Sequence, residues 1–134
     1  MAKTHIFQSL NKWMPPTQGW VWEQMQLFEN SQQTILANTL TDSYPTQIAI
    51  KSKPPRLQSI LNSNFKQKAI KKQKADRNIL FSHFGHLAWQ DLNLGCHKRI
   101  ARVYGCDLHR LPFQDPIGKE RYLELFKKAD LIIT

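Results

Sequence analysis

The chain has 134 residues, a mass of 15.7 kDa and a formal net charge of +9. Hydrophobic residues make up 41% of it and four tryptophans are present, which is the composition of one globular domain rather than of a disordered chain. No apolar run approaches the roughly 20 residues that span a bilayer. No secretory leader is recognisable, and Cys96 and Cys106 form no C-x-x-C motif, so the sequence predicts a cytoplasmic protein.

The positive charge is concentrated between residues 51 and 77. This segment contains nine Lys and Arg residues and one acidic residue, Asp76, so its net charge is +8. Three interpretations stay open: a solvated helix face, attraction to anionic lipid headgroups, and contacts with nucleic-acid phosphates. Phe65 is the one aromatic residue of the segment, so no base-stacking platform is evident and nucleic acid is not an expected partner.

Hydrophobic periodicity predicts alternating strands and helices. The strands are expected at 4–10, 33–40, 78–84, 99–105 and 130–134, with the short stretch 47–50 extending or pairing with the second. The helices are expected at 18–30, from Lys53 through Ala69, at 86–97 in part, and at 117–129, and a loop at 106–116. The apolar stripe of the basic helix comprises Leu57, Ile60, Leu61, Phe65 and Ala69, and that of the last helix Tyr122, Phe126 and Ala129.

This alternation is typical of a doubly wound parallel sheet. The predicted fold is therefore a Rossmann-like α/β domain of three α/β/α layers that occupies residues 1–134. A strand at the very end of the chain would be an uncovered sheet edge. The expectation is that the domain is one half of a larger structure.

Ligands of open parallel sheets bind beyond the carboxyl ends of the strands. Three segments are predicted at that edge: 13–19, 83–86 and 104–109. His83 and His86 are possible catalytic bases, but turn histidines bonded to backbone are an equal alternative. Another alternative is a zinc site that adds Cys96, His97 or Cys106, but its spacing fits no structural zinc pattern, so no metal is expected.

Several stretches resemble a known family: "ILFSHFGHLAWQDLNL", "RIARVYGCDLHRLPFQDP" and "RYLELFKKADLIIT", together with the opening "HIFQSLNKWMPPTQGWVWEQ". They are similar to the N-terminal half of GT-B glycosyltransferases of family 4, above all to bacterial enzymes of polysaccharide assembly. The family's "HFG" turn and its "YGYD" or "HGYD" loop correspond to residues 83–85 and 104–107. The similarity covers residues 5–29 and 79–134, and little of the middle.

The resemblance implies an acceptor-binding domain of a retaining hexosyltransferase. Such an enzyme transfers a sugar from a nucleotide-sugar donor to a lipid-linked or polysaccharide acceptor, with no metal or other cofactor. The resemblance gives roles to three groups of residues. Thr17, Gln18 and Gly19 would lie near the donor phosphates, His83, Gly85 and His86 on the acceptor side, and Tyr104, Gly105 and Asp107 near the transferred sugar. The catalytic candidates are His83, His86 and Asp107.

Two departures from the family follow. Tyr104 stands where many members have histidine, and Gly19 is single where others have paired glycines. The donor-binding domain is absent from these residues, so the expected partner is that domain, in cis or as a separate chain, and the isolated chain is predicted to be inactive. The basic segment predicts a further affinity for an anionic membrane surface or a lipid-linked sugar at the inner face of the cytoplasmic membrane. The alternative is a small basic α/β module that binds anionic lipid or nucleic acid without catalysis.

Overall fold

A computed structural model describes residues 3–13, 19–28, 30–40, 49–52 and 65–134. Its strands form one all-parallel sheet in the order β3-β2-β1-β4-β5-β6. The strands are β1 (Thr4–Trp13), β2 (Gln32–Leu40), β3 (Ala49–Ser52), β4 (Arg77–His83), β5 (Lys98–Arg102) and β6 (Leu131–Ile133). The Rossmann-like α/β fold is confirmed. The sheet has six strands rather than five, because residues 49–52 pair with β2 as a strand of their own.

The helices are α1 (Gly19–Gln26), α2 (Phe65–Lys72), α3 (Gly85–Gln90), α4 (Gly105–His109) and α5 (Pro116–Lys128), with 3-10 turns at Asp91–Asn93 and Leu111–Phe113. Helix α5 starts one residue before the predicted position. Asp115 accepts the Gly118 N–H at 2.5 Å, and Pro116 occupies the first turn. The loop predicted at 106–116 is wrong, because α4 and a 3-10 turn occupy it. The predicted helix over 53–64, with Leu57, Ile60 and Leu61, lies outside the described residues.

The two faces of the sheet carry separate apolar clusters. On the first face, β1 and β2 pack against α1 through Leu10, Ile35, Val21 and Met25. On the second face, α2 packs against the centre of the sheet, and α3 and α5 pack against β5. Helices therefore lie on both faces of the sheet, in the predicted α/β/α order.

Two predicted helix faces need correction. Lys66 was expected on a solvated face, but it is 7% exposed and ion-paired with Asp91. Phe126 was expected in the core, but it is 41% exposed. The inward side of α5 is instead formed by Tyr122 and Leu125, which are spaced i, i+3. Residue 126 lies about 100° further around the helix than Leu125 and points outward.

Candidate functional site

The carboxyl ends of β1, β4 and β5 lie at one edge of the sheet, because these strands are parallel neighbours. The chain runs outward from β1 to β3 and then returns to place β4 on the other side of β1. Strand order therefore reverses between β1 and β4, and the crevice beside such a reversal is the usual ligand position in doubly wound sheets. We call this region the carboxyl edge. Helix α3 begins there at Gly85 and α4 at Gly105.

A partly buried chain of side-chain hydrogen bonds leads from the first face of the sheet to this edge. His83 Nδ1 lies 3.0 Å from the phenol oxygen of Tyr104, and His83 Nε2 lies 2.9 Å from Gln8 Oε1. Gln8 Nε2 donates to Gln33 Oε1 at 3.0 Å. Gln33 Nε2 in turn donates to the Met25 carbonyl at 3.0 Å. We call these four side chains, Gln33, Gln8, His83 and Tyr104, the relay.

The Met25 carbonyl determines which group donates and which accepts in each hydrogen bond of the relay. A backbone carbonyl only accepts, so Gln33 presents its NH₂ group to Met25 and its oxygen to Gln8. Gln8 then donates with its own NH₂ group and accepts from His83, which must carry its proton on Nε2. The lone pair of His83 Nδ1 is left to accept the Tyr104 hydroxyl proton. One tautomer of His83 is thus selected by protein groups alone.

His83 is neutral over the physiological pH range. Its side chain is 1% exposed. Burial, with a further contribution from the positive charge of Arg102, lowers the pKa of His83 to about 3. Because both ring nitrogens already bond to protein groups, any effect of His83 at the edge passes through Tyr104. Burial raises the pKa of Tyr104, so its phenol also stays neutral.

Asp107 joins the start of α4 to α5. Its side chain is fully buried. One carboxylate oxygen accepts the Tyr104 N–H at 2.8 Å, and the other accepts the Tyr122 hydroxyl at 2.5 Å. The first bond caps α4 and explains why so short a segment is helical. Asp107 therefore fixes the backbone that carries Tyr104.

The turn between β4 and α3 is conformationally demanding. Phe84 has φ 74° and ψ 138°, a region that side chains rarely adopt. Its ring lies 4.4 Å, centroid to centroid, from the ring of Tyr104. A Cβ on the following Gly85 would overlap the Tyr122 ring and lie 3.1 Å from Asp107 Oδ1. Only glycine fits position 85, so the "HFG" turn is held by close packing beneath it.

A groove of about 380 Å³ opens beside this turn, between α3 and the segment that leads into α5. Gly85 and His86 line it, and His86 is exposed. The rest of its lining is Trp89, Gln90, Leu111, Gln114, Asp115, Gly118, Arg121 and Tyr122. Its volume lies within the range of about 300–1,000 Å³ that is usual for small-ligand sites.

The structure thus places most of the predicted site residues near one another. His83 and Tyr104 are in direct contact, Asp107 and Gly85 both pack against Tyr122, and His86 lines the groove. Gly105 begins α4, and a Cβ there would meet nothing within 4 Å. The remaining predicted residues belong to the segment after β1. Gly19 starts α1, whereas Thr17 and Gln18 lie outside the described residues.

A second buried polar cluster lies on the second face, close to the same edge. Lys66 Nζ donates to Asp91 Oδ1 at 3.0 Å and to Ser9 Oγ at 2.9 Å. The Ser82 hydroxyl donates to Asp91 Oδ2 at 2.8 Å. We call Lys66, Asp91, Ser9 and Ser82 the ionic cluster. It links α2 and the turn after α3 to both central strands.

The zinc alternative assembles no ligand set. Within the described ranges, no three His, Cys, Asp or Glu side chains converge on one point. His83 uses both nitrogens in the relay, and His97 Nδ1 accepts the Asn78 N–H at 2.9 Å. Burial also raises the pKa of the Cys96 thiol, which disfavours the thiolate that zinc binds.

No protein-family model matches the chain, and no curated protein matches its sequence significantly. In the part of the chain that the structure describes, no helix combines the length and the apolar character needed to cross a bilayer.

Proposed function

We propose that the chain is the acceptor-binding domain of a retaining glycosyltransferase, which moves a sugar from a nucleotide-sugar donor to a lipid-linked or polysaccharide acceptor. One observation carries the proposal: His83, Gly85, His86 and Tyr104, which the resemblance to family 4 selects from sequence alone, lie together at the carboxyl edge. Ligands of doubly wound sheets are bound at this position.

The chemistry of the edge suits binding and positioning. The relay holds the Tyr104 hydroxyl in a fixed place, and the groove beside His86 is large enough for one sugar. Transfer requires both reactants to be held in one cleft. We infer that a donor-binding domain, in cis or on another chain, completes the enzyme, and that the 134-residue chain alone does not catalyse transfer.

A transfer assay tests this proposal. The purified chain is incubated with radiolabelled UDP- and GDP-sugars and a lipid extract of its source cell, in parallel with the native assembly isolated through a tag on the chain. We expect labelled lipid or polysaccharide from the assembly and none from the chain alone. Sugar transfer by the chain alone would contradict the inference that a second, donor-binding domain is required. An assembly that transfers no sugar would contradict the whole proposal.

The basic segment supports a second candidate, a non-catalytic module that binds anionic lipid. Five of its lysines are described and exposed: Lys51, Lys68, Lys71, Lys72 and Lys74. The burial of Lys66 removes one charge from that surface. Flotation with anionic and neutral vesicles tests this candidate, and equal binding to both would exclude electrostatic attraction as its basis.

A further inference from the structure

The groove beside His86 contains an arginine that other side chains hold in position. The guanidinium carbon of Arg121 lies 4.4 Å from the centroid of the Trp89 ring. The indole is fixed in turn, because Trp89 Nε1 donates to Glu124 Oε2 at 2.8 Å. Lys128 Nζ donates to the other oxygen of Glu124 at 2.6 Å. Each contact restricts the next, and the series ends at Arg121.

This arrangement leaves the donors of Arg121 available. Its guanidinium has no hydrogen-bonding or ion-pairing partner among the described residues, although it lies at the wall of a groove. A free arginine side chain loses much rotamer freedom when it binds an anion. Stacking on Trp89 restricts that freedom before any ligand arrives, and guanidinium donors match carboxylate and phosphate oxygens in geometry.

The lining of the groove also contains side chains suited to hydroxyl groups. Asp115 uses one carboxylate oxygen to cap α5, and Gln90 and Gln114 add amide donors and acceptors. Asp115 caps α5 and Arg121 lies in the second turn of the same helix, and both line the groove. A ligand that contacts both residues would carry an anionic group and hydroxyls, and the groove volume of about 380 Å³ is large enough for one sugar.

We propose that this groove binds a hexose bearing an anionic substituent, a phosphate or a carboxylate, with Arg121 binding the anion and Asp115 accepting sugar hydroxyls. Binding of this ligand does not depend on transferase activity. The further statement that the groove is the acceptor site rests on the proposed function, and it would mean that the acceptor is an anionic sugar.

Isothermal titration calorimetry of the 134-residue chain with four probes tests the proposal: a hexose 1-phosphate, a hexuronate, the neutral hexose and inorganic phosphate. We expect the hexose 1-phosphate or the hexuronate to bind more tightly than either the neutral hexose or inorganic phosphate. The tighter of the two identifies the anionic group. If the neutral hexose bound as tightly as the anionic sugars, Arg121 would not be the anion-binding residue. If inorganic phosphate bound as tightly as they do, the groove would not recognise the sugar.

Three variants locate the binding. Arg121→Gln should weaken binding of the preferred probe by at least about tenfold, since a charge-assisted contact is lost. Arg121→Lys keeps the charge without the planar fork and should give an intermediate loss. Lys119→Gln removes one positive charge from an exposed position of α5 that does not line the groove, and should leave affinity within about twofold. Both residues are exposed, so circular dichroism should report an unchanged fold for all three variants. Equal affinities in all of them would overturn the site.

These results are separable from the transfer assay. Specific binding that depends on Arg121, combined with an assembly that transfers no sugar, would keep the groove as a binding site and remove the glycosyltransferase proposal. Sugar transfer by the assembly, combined with binding that does not depend on Arg121, would keep the glycosyltransferase proposal and remove the groove as the binding site.

Discussion

Two networks of polar side chains, one on each face of the sheet, differ in how their hydrogen-bonding groups are paired. The ionic cluster on the second face is closed, since Lys66 and Asp91 bond to one another and to two serines of the central strands. The relay on the first face is made of uncharged side chains and runs from a backbone carbonyl to Tyr104 at the carboxyl edge. The first arrangement joins helices to the sheet, whereas the second positions the Tyr104 hydroxyl at the carboxyl edge.

The energetics of the two differ for the same reason. A buried ion pair must offset the cost of taking two charges out of water, so the removal of one partner leaves a strongly destabilising charge. The relay contains no charge at neutral pH, and the loss of one member leaves only an unpaired dipole. The ionic cluster should therefore dominate stability, and the relay should dominate the pH dependence and the geometry of the edge.

The largest expected effect is that of Lys66→Met, which preserves the aliphatic stem and removes the charge. Asp91 would keep a single side-chain partner, Ser82, in a buried position. We expect the free energy of unfolding to fall by about 3–5 kcal/mol, as for other broken buried pairs. Urea unfolding measures it.

Lys68→Met is the matched control, because Lys68 is exposed on the same helix. Its effect should stay within about 0.5 kcal/mol. The double variant Lys66→Met/Asp91→Leu should recover most of the loss. Equal effects of the two lysine variants would show that the ion pair contributes nothing distinctive.

The second effect is a loss of stability in acid that depends on His83. The pKa of His83 is lowered to about 3 in the folded protein, while that of an unfolded histidine is about 6.5. The unfolded chain therefore binds the additional proton between these values, and stability is full above pH 6.5 and falls as the pH decreases toward 3. From pH 7.5 to 5 the contribution of His83 is a loss of about 2 kcal/mol.

Urea unfolding of His83→Gln across this range should show a shallower pH dependence than the wild type. His86→Gln is the matched control, since His86 is exposed and outside the relay. A residual slope is expected in both variants, because burial also lowers the pKa of His5. An unchanged slope in His83→Gln would contradict a neutral, relay-bound imidazole.

The smallest expected effect is that of Tyr104→Phe. It removes the hydroxyl that His83 Nδ1 accepts, at a net cost of about 1 kcal/mol. Because the relay is continuous, its effect should not add to that of Gln8→Leu, and a double-mutant cycle should give a coupling above about 0.5 kcal/mol. Strict additivity would mean that the relay is a set of independent contacts.

Much of the fold follows from the sequence. Apolar runs mark β1, β2 and β4, and the strand–helix alternation fixes a parallel sheet with a shared carboxyl edge. Placing His83, Gly85 and Tyr104 at that edge required no more than this rule and the quoted motifs. The boundaries of α5, predicted at 117–129, agree with the structure to within one residue.

The rest depends on contacts that periodicity does not encode. Gln8 and Gln33 are polar residues within strands, and nothing local indicates that they bond to one another across β1 and β2. Lys66 has the same residue type as its solvated neighbours, and its burial is decided by Asp91, 25 residues away. Helix α4 has five residues, too few for an apolar stripe to appear. The stacking of Arg121 on Trp89 is likewise a contact between two helices, α5 and α3, that periodicity within either helix does not indicate.

The most direct test of the central claim, that the carboxyl edge binds the acceptor, is an NMR titration of the ¹⁵N-labelled chain with a short-chain, water-soluble isoprenyl diphosphate sugar. We expect amide shifts to concentrate at Gly85 and Gly118, which line the groove, and at Gly105, which starts α4. The amides of Thr4 and Arg77, at the opposite edge of the sheet, should stay unchanged. Shifts that concentrate at that opposite edge, or no shifts at millimolar ligand, would contradict it.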